Sequence, residues 1–244
     1  MPTIKTLQEQ YDQVLSSRDF EKTSAIEREI IQQHNRDGIL YLLARKGLHR
    51  VCFIDALENP NCPWFDLKNA ASPIIIEKIW QPITHLLPKF LEKFKARCQH
   101  ILVEEQNGTW QLIYFVHILL EDDVPYYCVY VGAPAVTKEE LDEYPKIGKN
   151  AKLHLGLFYQ VHNGFGEINR EMILPIDELL PIKHEEQRYL SFFDFASKAR
   201  QCLAVNDLAQ ENPMTYDYDR DNLRSYRPFW DFIDERLAII DEED

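Results

Sequence analysis

His162-Asn163 is the pair in this 244-residue chain that most invites a chemical role, since an imidazole beside a thiol or hydroxyl can activate it as a nucleophile. No nucleophile signature surrounds Cys128 or Cys202, however. The remaining histidines are dispersed, without the four-residue spacing that sets two imidazoles on one helix face. The five cysteines (Cys52, Cys62, Cys98, Cys128 and Cys202) include no CxxC pair, which argues against structural zinc and for a reducing, cytoplasmic setting. Asp217-Tyr-Asp-Arg-Asp221 puts acids at the first, third and fifth positions of a calcium loop. Asn222 stands where that loop needs glycine and Pro228 where it needs a bidentate glutamate, so a solvated turn is expected instead. Carboxylate pairs are unavoidable in a chain with 40 acids and do not point to glycoside chemistry. No glycine pattern that would cradle a phosphate occurs. Catalytic residues, metal and cofactor are therefore all expected to be absent.

Charge is more informative when followed along the chain. Residues 1–100 carry 14 Lys+Arg against 12 Asp+Glu, residues 101–200 carry 9 against 16, and residues 201–244 carry 4 against 12. The net charge of −13 thus belongs to the last 144 residues. Such a surface repels nucleic-acid phosphate and anionic membrane and attracts a basic protein. The start of the chain shows no apolar signal core, and no run is long enough for a membrane span: Ile113–Leu120 is interrupted by His117 and followed by three acids.

The elements that must position these groups can be read from apolar spacing. Residues 3–35 fit one broken helix or a helical hairpin, with a break at Ser16-Ser17-Arg18-Asp19, a capping box at Thr6/Glu9 and a close at Asp37-Gly38; a short helix over Ile39–Lys46 follows, ending at Gly47. Ser72, as N-cap, and Pro73 open an amphipathic helix through Ile76, Ile79, Ile83, Leu86, Phe90 and Phe94, divided by Pro82 and Pro88. Core packing is the expected fate of that stripe rather than a lipid surface. From His100 the period becomes strand-like, and the Asn107-Gly108 turn predicts an antiparallel meander ending near Val131. Thr137/Glu140 form a second capping box with Val136 and Leu141 as its staple. The apolar helix around Leu157, Phe158 and Val161 is expected to stop at His162-Asn163-Gly164, where the histidine would bond the last carbonyls. Strands are then expected at 171–174, 190–196, 202–206 and 214–218, and a last helix over Pro228–Ile240. The acidic end, Asp241–Asp244, reads as a solvated tail.

The order of these later segments resembles the SUKH superfamily, known from bacterial toxin-immunity proteins and a fungal cell-wall regulator. The matching stretches are the Leu157–Gly164 helix with its Asn-Gly stop, Ile173-Leu-Pro-Ile176, Phe192-Phe-Asp-Phe195, Leu203–Asn206, Pro213–Asp219 and Tyr226–Ile233. They cover residues 137–240, with His162, Asn163 and Gly164 as the fold marker. The expected fold class is α+β: a mixed or antiparallel sheet flanked by helices over 136–244, preceded by a helix-rich region and β-meander over 1–135. That first part is either a separate module or an elaboration of the same domain. The resemblance implies a non-catalytic binding protein. The first expectation is an immunity protein that occludes a basic cognate toxin, with no nucleic-acid or membrane partner; the alternative is a regulatory or scaffolding module with a cellular partner. Asp217, Asp219 and Asp221, interleaved with Tyr216 and Tyr218, together with Glu185 and Glu186, are the candidate contact residues.

Overall fold

The computed structural model describes residues 4–17, 20–119, 125–143, 155–168, 172–195, 199–208, 210–219 and 222–238. The expected break at Arg18-Asp19, Asp221 and the Asp241–Asp244 tail lie outside them. Helix α1 (Ile4–Ser17) folds back on α2 (Phe20–Arg45) through Leu7, Tyr11, Ile30 and Leu42. The helix already runs at Ile4, so Thr6 lies inside it and is no N-cap. The expected close at Asp37-Gly38 comes two residues earlier: Asn35 (φ 47, ψ −122) is non-helical and divides α2 into two helical stretches, with Asp37-Gly38 inside the second. Asparagine tolerates that left-handed backbone. Gly38 has a different task, since a Cβ there would lie 2.6 Å from the Ile30 carbonyl oxygen. At the far end Leu48 N–H bonds the Leu43 carbonyl and Gly47 N–H that of Ala44, a Schellman close with Gly47 at φ 95.

After the short strand β1 (Val51–Phe53), prolines divide the next apolar run as expected: α3 (Ser72–Trp80), a 3₁₀ segment over Gln81–Leu86, and α4 (Pro88–Arg97). Ser72 is the first residue of α3, not its cap; its hydroxyl donates to the Gln99 carbonyl at 3.4 Å. The cap of α4 comes from far away in sequence. The Asp234 carboxylate accepts from Phe90 N–H (2.9 Å) and Lys89 N–H (3.3 Å). The meander follows: β2 (Cys98–Gln106), β3 (Thr109–Leu119) and β4 (Pro125–Gly132). Asn107 (φ 55) and Gly108 (φ 80) make the tight turn whose twist suits the strands. Helix α5 (Lys138–Glu143) opens on the expected box: Glu140 N–H donates to Thr137 Oγ1 (3.2 Å), and Thr137 N–H to Glu140 Oε2 (2.8 Å).

The second half adds α6 (Leu155–Tyr159), β5 (Phe165–Glu167), β6 (Met172–Ile173), β7 (Leu180–His184), β8 (Gln187–Asp194), β9 (Arg200–Ala204), β10 (Met214–Asp219), β11 (Asn222–Pro228) and α7 (Phe229–Ala238). The fold is α+β. The strands form one 11-stranded sheet, ordered β1-β2-β3-β4-β5-β6-β8-β9-β10-β11, with β7 also on β8. Every pairing described is antiparallel, so the sheet is not mixed. It runs across residues 135–136, where Val131 of β4 pairs with Gly166 of β5. One core cluster also draws on both halves: Trp80, Phe90 and Phe94 lie in it with Phe158, Phe165, Phe192 and Phe229. Strands β1–β4 are thus built into the same sheet, and α3 and α4 into the same core, as the second half.

Side chains alternate between the two faces of a strand. Leu112, Tyr114 and Val116 of β3 enter the main core, and Ile113 and Phe115 point to the other face. Over the meander that outer face is covered by α2, whose Ile39 and Leu43 pack on Phe53, Leu102, Phe115, Tyr127 and Val129.

Candidate functional site

Helix α6 ends at Tyr159, earlier than the Asn-Gly stop, and His162-Asn163-Gly164 forms a junction beyond it. His162 does not bond helix carbonyls through its ring. Its Nδ1–H donates to the Ala133 carbonyl (2.8 Å), which leaves Nε2 to accept the Tyr114 hydroxyl (2.8 Å). Asn163 Oδ1 accepts from Ile176 N–H (2.8 Å). Gly164 (φ 87) passes so close to Pro175 that a Cβ would meet its ring at 3.0 Å. The three residues tie the end of β4, the centre of β3 and the segment after β6 together. Burial pushes the His162 imidazole down to about 4 and the Tyr114 phenol up, so both are neutral. His162 has no solvent exposure and sits among Trp80, Tyr114 and Phe165. It is a packing and hydrogen-bonding residue.

A recess of about 410 Å³ brings Ser72, Asp55 and His100 into one lining. They do not compose a triad. The serine hydroxyl is directed at the Gln99 carbonyl, and Asp55 is held by Arg36, which lowers its carboxyl. Burial, with Arg36 adding, also lowers His100. Among the described residues no group of three or more His, Cys, Asp or Glu side chains is placed to hold a metal ion.

The expected acidic contact divides in two. Asp217 and Asp219 are in β10, which turns directly into β11, so the solvated turn leading to the helix is in fact a hairpin. Asp217 and Asp219 line a shallow recess with Phe195, Asn222 and Arg224 on the inner side of the sheet. Tyr216 and Tyr218 alternate to the outer side, where they pack with Ile182, Tyr189, Cys202, Ala204 and Leu223. Interleaving along a strand therefore separates the two groups rather than combining them. Glu185 and Glu186 form the β7–β8 turn, with Glu185 in left-handed backbone (φ 52). Burial pushes the Tyr189 phenol up, and the charges of Glu185 and Asp207 add to the shift together with Tyr216. Comparison with family models, curated proteins and solved structures gives no match.

Sequence reasoning missed Tyr189, Ile182 and Leu223 because it missed or displaced their strands. Pro181 argues against a strand in Leu180–His184, yet proline is tolerated on a strand with a free edge. In Asn222–Pro228 polar residues outnumber apolar ones on both faces, as befits an edge strand, and the alternation signal is lost. The outer cluster draws on β7–β11 alone. Among the described residues no helix contributes to it, unlike the same face over β1–β4. Cys202 and Ser191 lie fully buried beneath, and burial pushes the Cys202 thiol up to about 12, opposed by the neighbouring Ser191 hydroxyl. That thiol is inert at neutral pH.

Proposed function

We propose that this chain is a non-catalytic immunity protein that binds a basic cognate toxin in the cytoplasm and occludes its active surface. The observation that carries the reading is the outer face of β7–β11, where half-buried Tyr216 and Tyr218, with Ile182 and Leu223, lie against the buried Tyr189 without the helix that covers the continuation of this face. Tyrosines rimmed by charge favour a protein contact: the rings bury area at low entropic cost and the hydroxyls stay wet. Glu185 and Asp207 beside them suit a basic partner, and the net charge of −13 would steer it in. The resemblance to the SUKH superfamily supports the same class of role. Asp217 and Asp219 leave the proposed contact, since they alternate to the face of β10 opposite Tyr216 and Tyr218.

The test is rescue from, and binding to, the protein encoded beside this one. Tyr216→Ser with Tyr218→Ser should weaken binding at least tenfold, roughly the 1.4 kcal/mol or more that a central aromatic pair contributes. Asp217→Lys with Asp219→Lys should bind as the parent does. Equal binding by the tyrosine variant removes the proposed face. If the neighbouring protein is not toxic but a housekeeping protein is captured through the same tyrosines, the role is scaffolding.

A further inference from the structure

A groove of about 730 Å³ runs between α7 and the Gln81–Lys89 stretch and shares no lining residue with the tyrosine cluster. One wall is helix α7, which presents Trp230, Asp231, Asp234 and Glu235 at the spacing of a single helical face. The other is His85, Leu86, Pro88 and Lys89, and Leu157, Glu211 and Asn212 complete the lining. Its volume falls in the range of sites that hold ligands or peptide side chains.

The charges in the groove are not equivalent. Asp234 is buried and committed to the N–H groups that begin α4, and Glu235 is paired with Arg227. Glu211 and Asp231 are exposed and face the opening, against Lys89 and His85 on the other wall. With Asp234 and Glu235 committed elsewhere, the exposed charges left in the lining are two carboxylates against one lysine, so the local balance is acidic. Beneath them are apolar groups: half-buried Leu86 and Leu157, exposed Pro88 and the buried Trp230. An apolar floor under an acidic rim matches a chain segment that carries both apolar and cationic side chains.

We infer that the groove between α7 and the Gln81–Lys89 stretch binds an extended, arginine- or lysine-bearing peptide segment of another protein, seating its apolar side chains on Leu86, Leu157 and Trp230 and its cations at Glu211 and Asp231. This is a second surface, so binding here and on the tyrosine face can be lost separately.

Calorimetric titration with a short peptide of alternating leucine and arginine tests it, using the full chain. Glu211→Lys with Asp231→Lys should weaken the peptide about tenfold or more, because each reversal exchanges an attraction for a repulsion at an exposed pair. Asp217→Lys with Asp219→Lys makes the same change in net charge elsewhere and should leave the affinity unchanged, as should Tyr216→Ser with Tyr218→Ser. A counterpart peptide with glutamate in place of arginine should not bind. Equal weakening by both lysine pairs would show attraction to net charge alone and overturn the inference. So would an unaltered affinity in Glu211→Lys with Asp231→Lys, or binding of the glutamate peptide. Glu211 and Asp231 are exposed whereas Tyr216 and Tyr218 are half-buried, and circular dichroism checks that each variant is folded.

Discussion

Replacing His162 by glutamine should make the protein's stability less sensitive to acid. The imidazole is fully buried and its pKa is about 4 in the folded chain, against 6.5 when solvated. As pH falls below 6.5 the unfolded chain takes up this proton and the folded chain does not. The stabilisation is therefore complete above about pH 6.5, drains away as pH falls towards 4, and is level below that. At 1.36 kcal/mol per pKa unit the whole effect is roughly 3 kcal/mol, and the part that falls between pH 7 and pH 5 is about 2 kcal/mol. Glutamine offers an N–H for the Ala133 carbonyl and an oxygen for the Tyr114 hydroxyl, and it does not titrate. Urea denaturation of both proteins at pH 7 and pH 5, followed by tryptophan fluorescence, isolates the term. The parent should lose about 2 kcal/mol more than His162→Gln over that interval. Carboxylates contribute equally to both and cancel. Equal losses would refute the reasoning, and so would a His162 NMR titration with its midpoint near 6.5.

Two further perturbations probe how the halves are joined. Gly132→Ala would put a methyl 2.6 Å from His162 Nδ1, in a ring boxed by Trp80 and Phe165, and overpacking of this kind should cost about 1–3 kcal/mol in urea denaturation. Asp234→Ala removes the cap of α4 from α7 and should cost about 1–2 kcal/mol, with faster amide exchange at Phe90; Asp234→Asn, which keeps an acceptor, should cost less.

Where local chemistry was sufficient, the elements could be read directly. Asn107-Gly108 called for a left-handed turn and obtained one; Thr137 and Glu140 satisfied each other's N–H groups; Pro82 and Pro88 divided the apolar run into α3 and α4. The Ile76–Phe94 stripe is core, as its spacing suggested, and the α+β class followed from the change of period near residue 98. The errors arose where a residue's partner is remote. Ser72 looks like a cap, but its hydroxyl meets Gln99; the actual cap of α4 lies 144 positions beyond Phe90. His162 looked like a helix terminus, but its ring bonds Ala133 and Tyr114, which no local window contains.

The site shows the same division. Sequence alone determined that the last 144 residues are acidic and that tyrosines alternate with aspartates over 216–219. It also determined that no recognised catalytic or metal spacing is present. Only the tertiary structure decided which of those side chains act together, because the two-residue period of a strand sends its neighbours to opposite faces. Once β10 lay between β9 and β11, Tyr216 and Tyr218 joined Tyr189 on the outer face and Asp217 and Asp219 were turned inward. Whether that outer face is covered depends on α2, which packs on the meander and contributes nothing to the tyrosine cluster. The pattern within a strand is local; what lies across it is not.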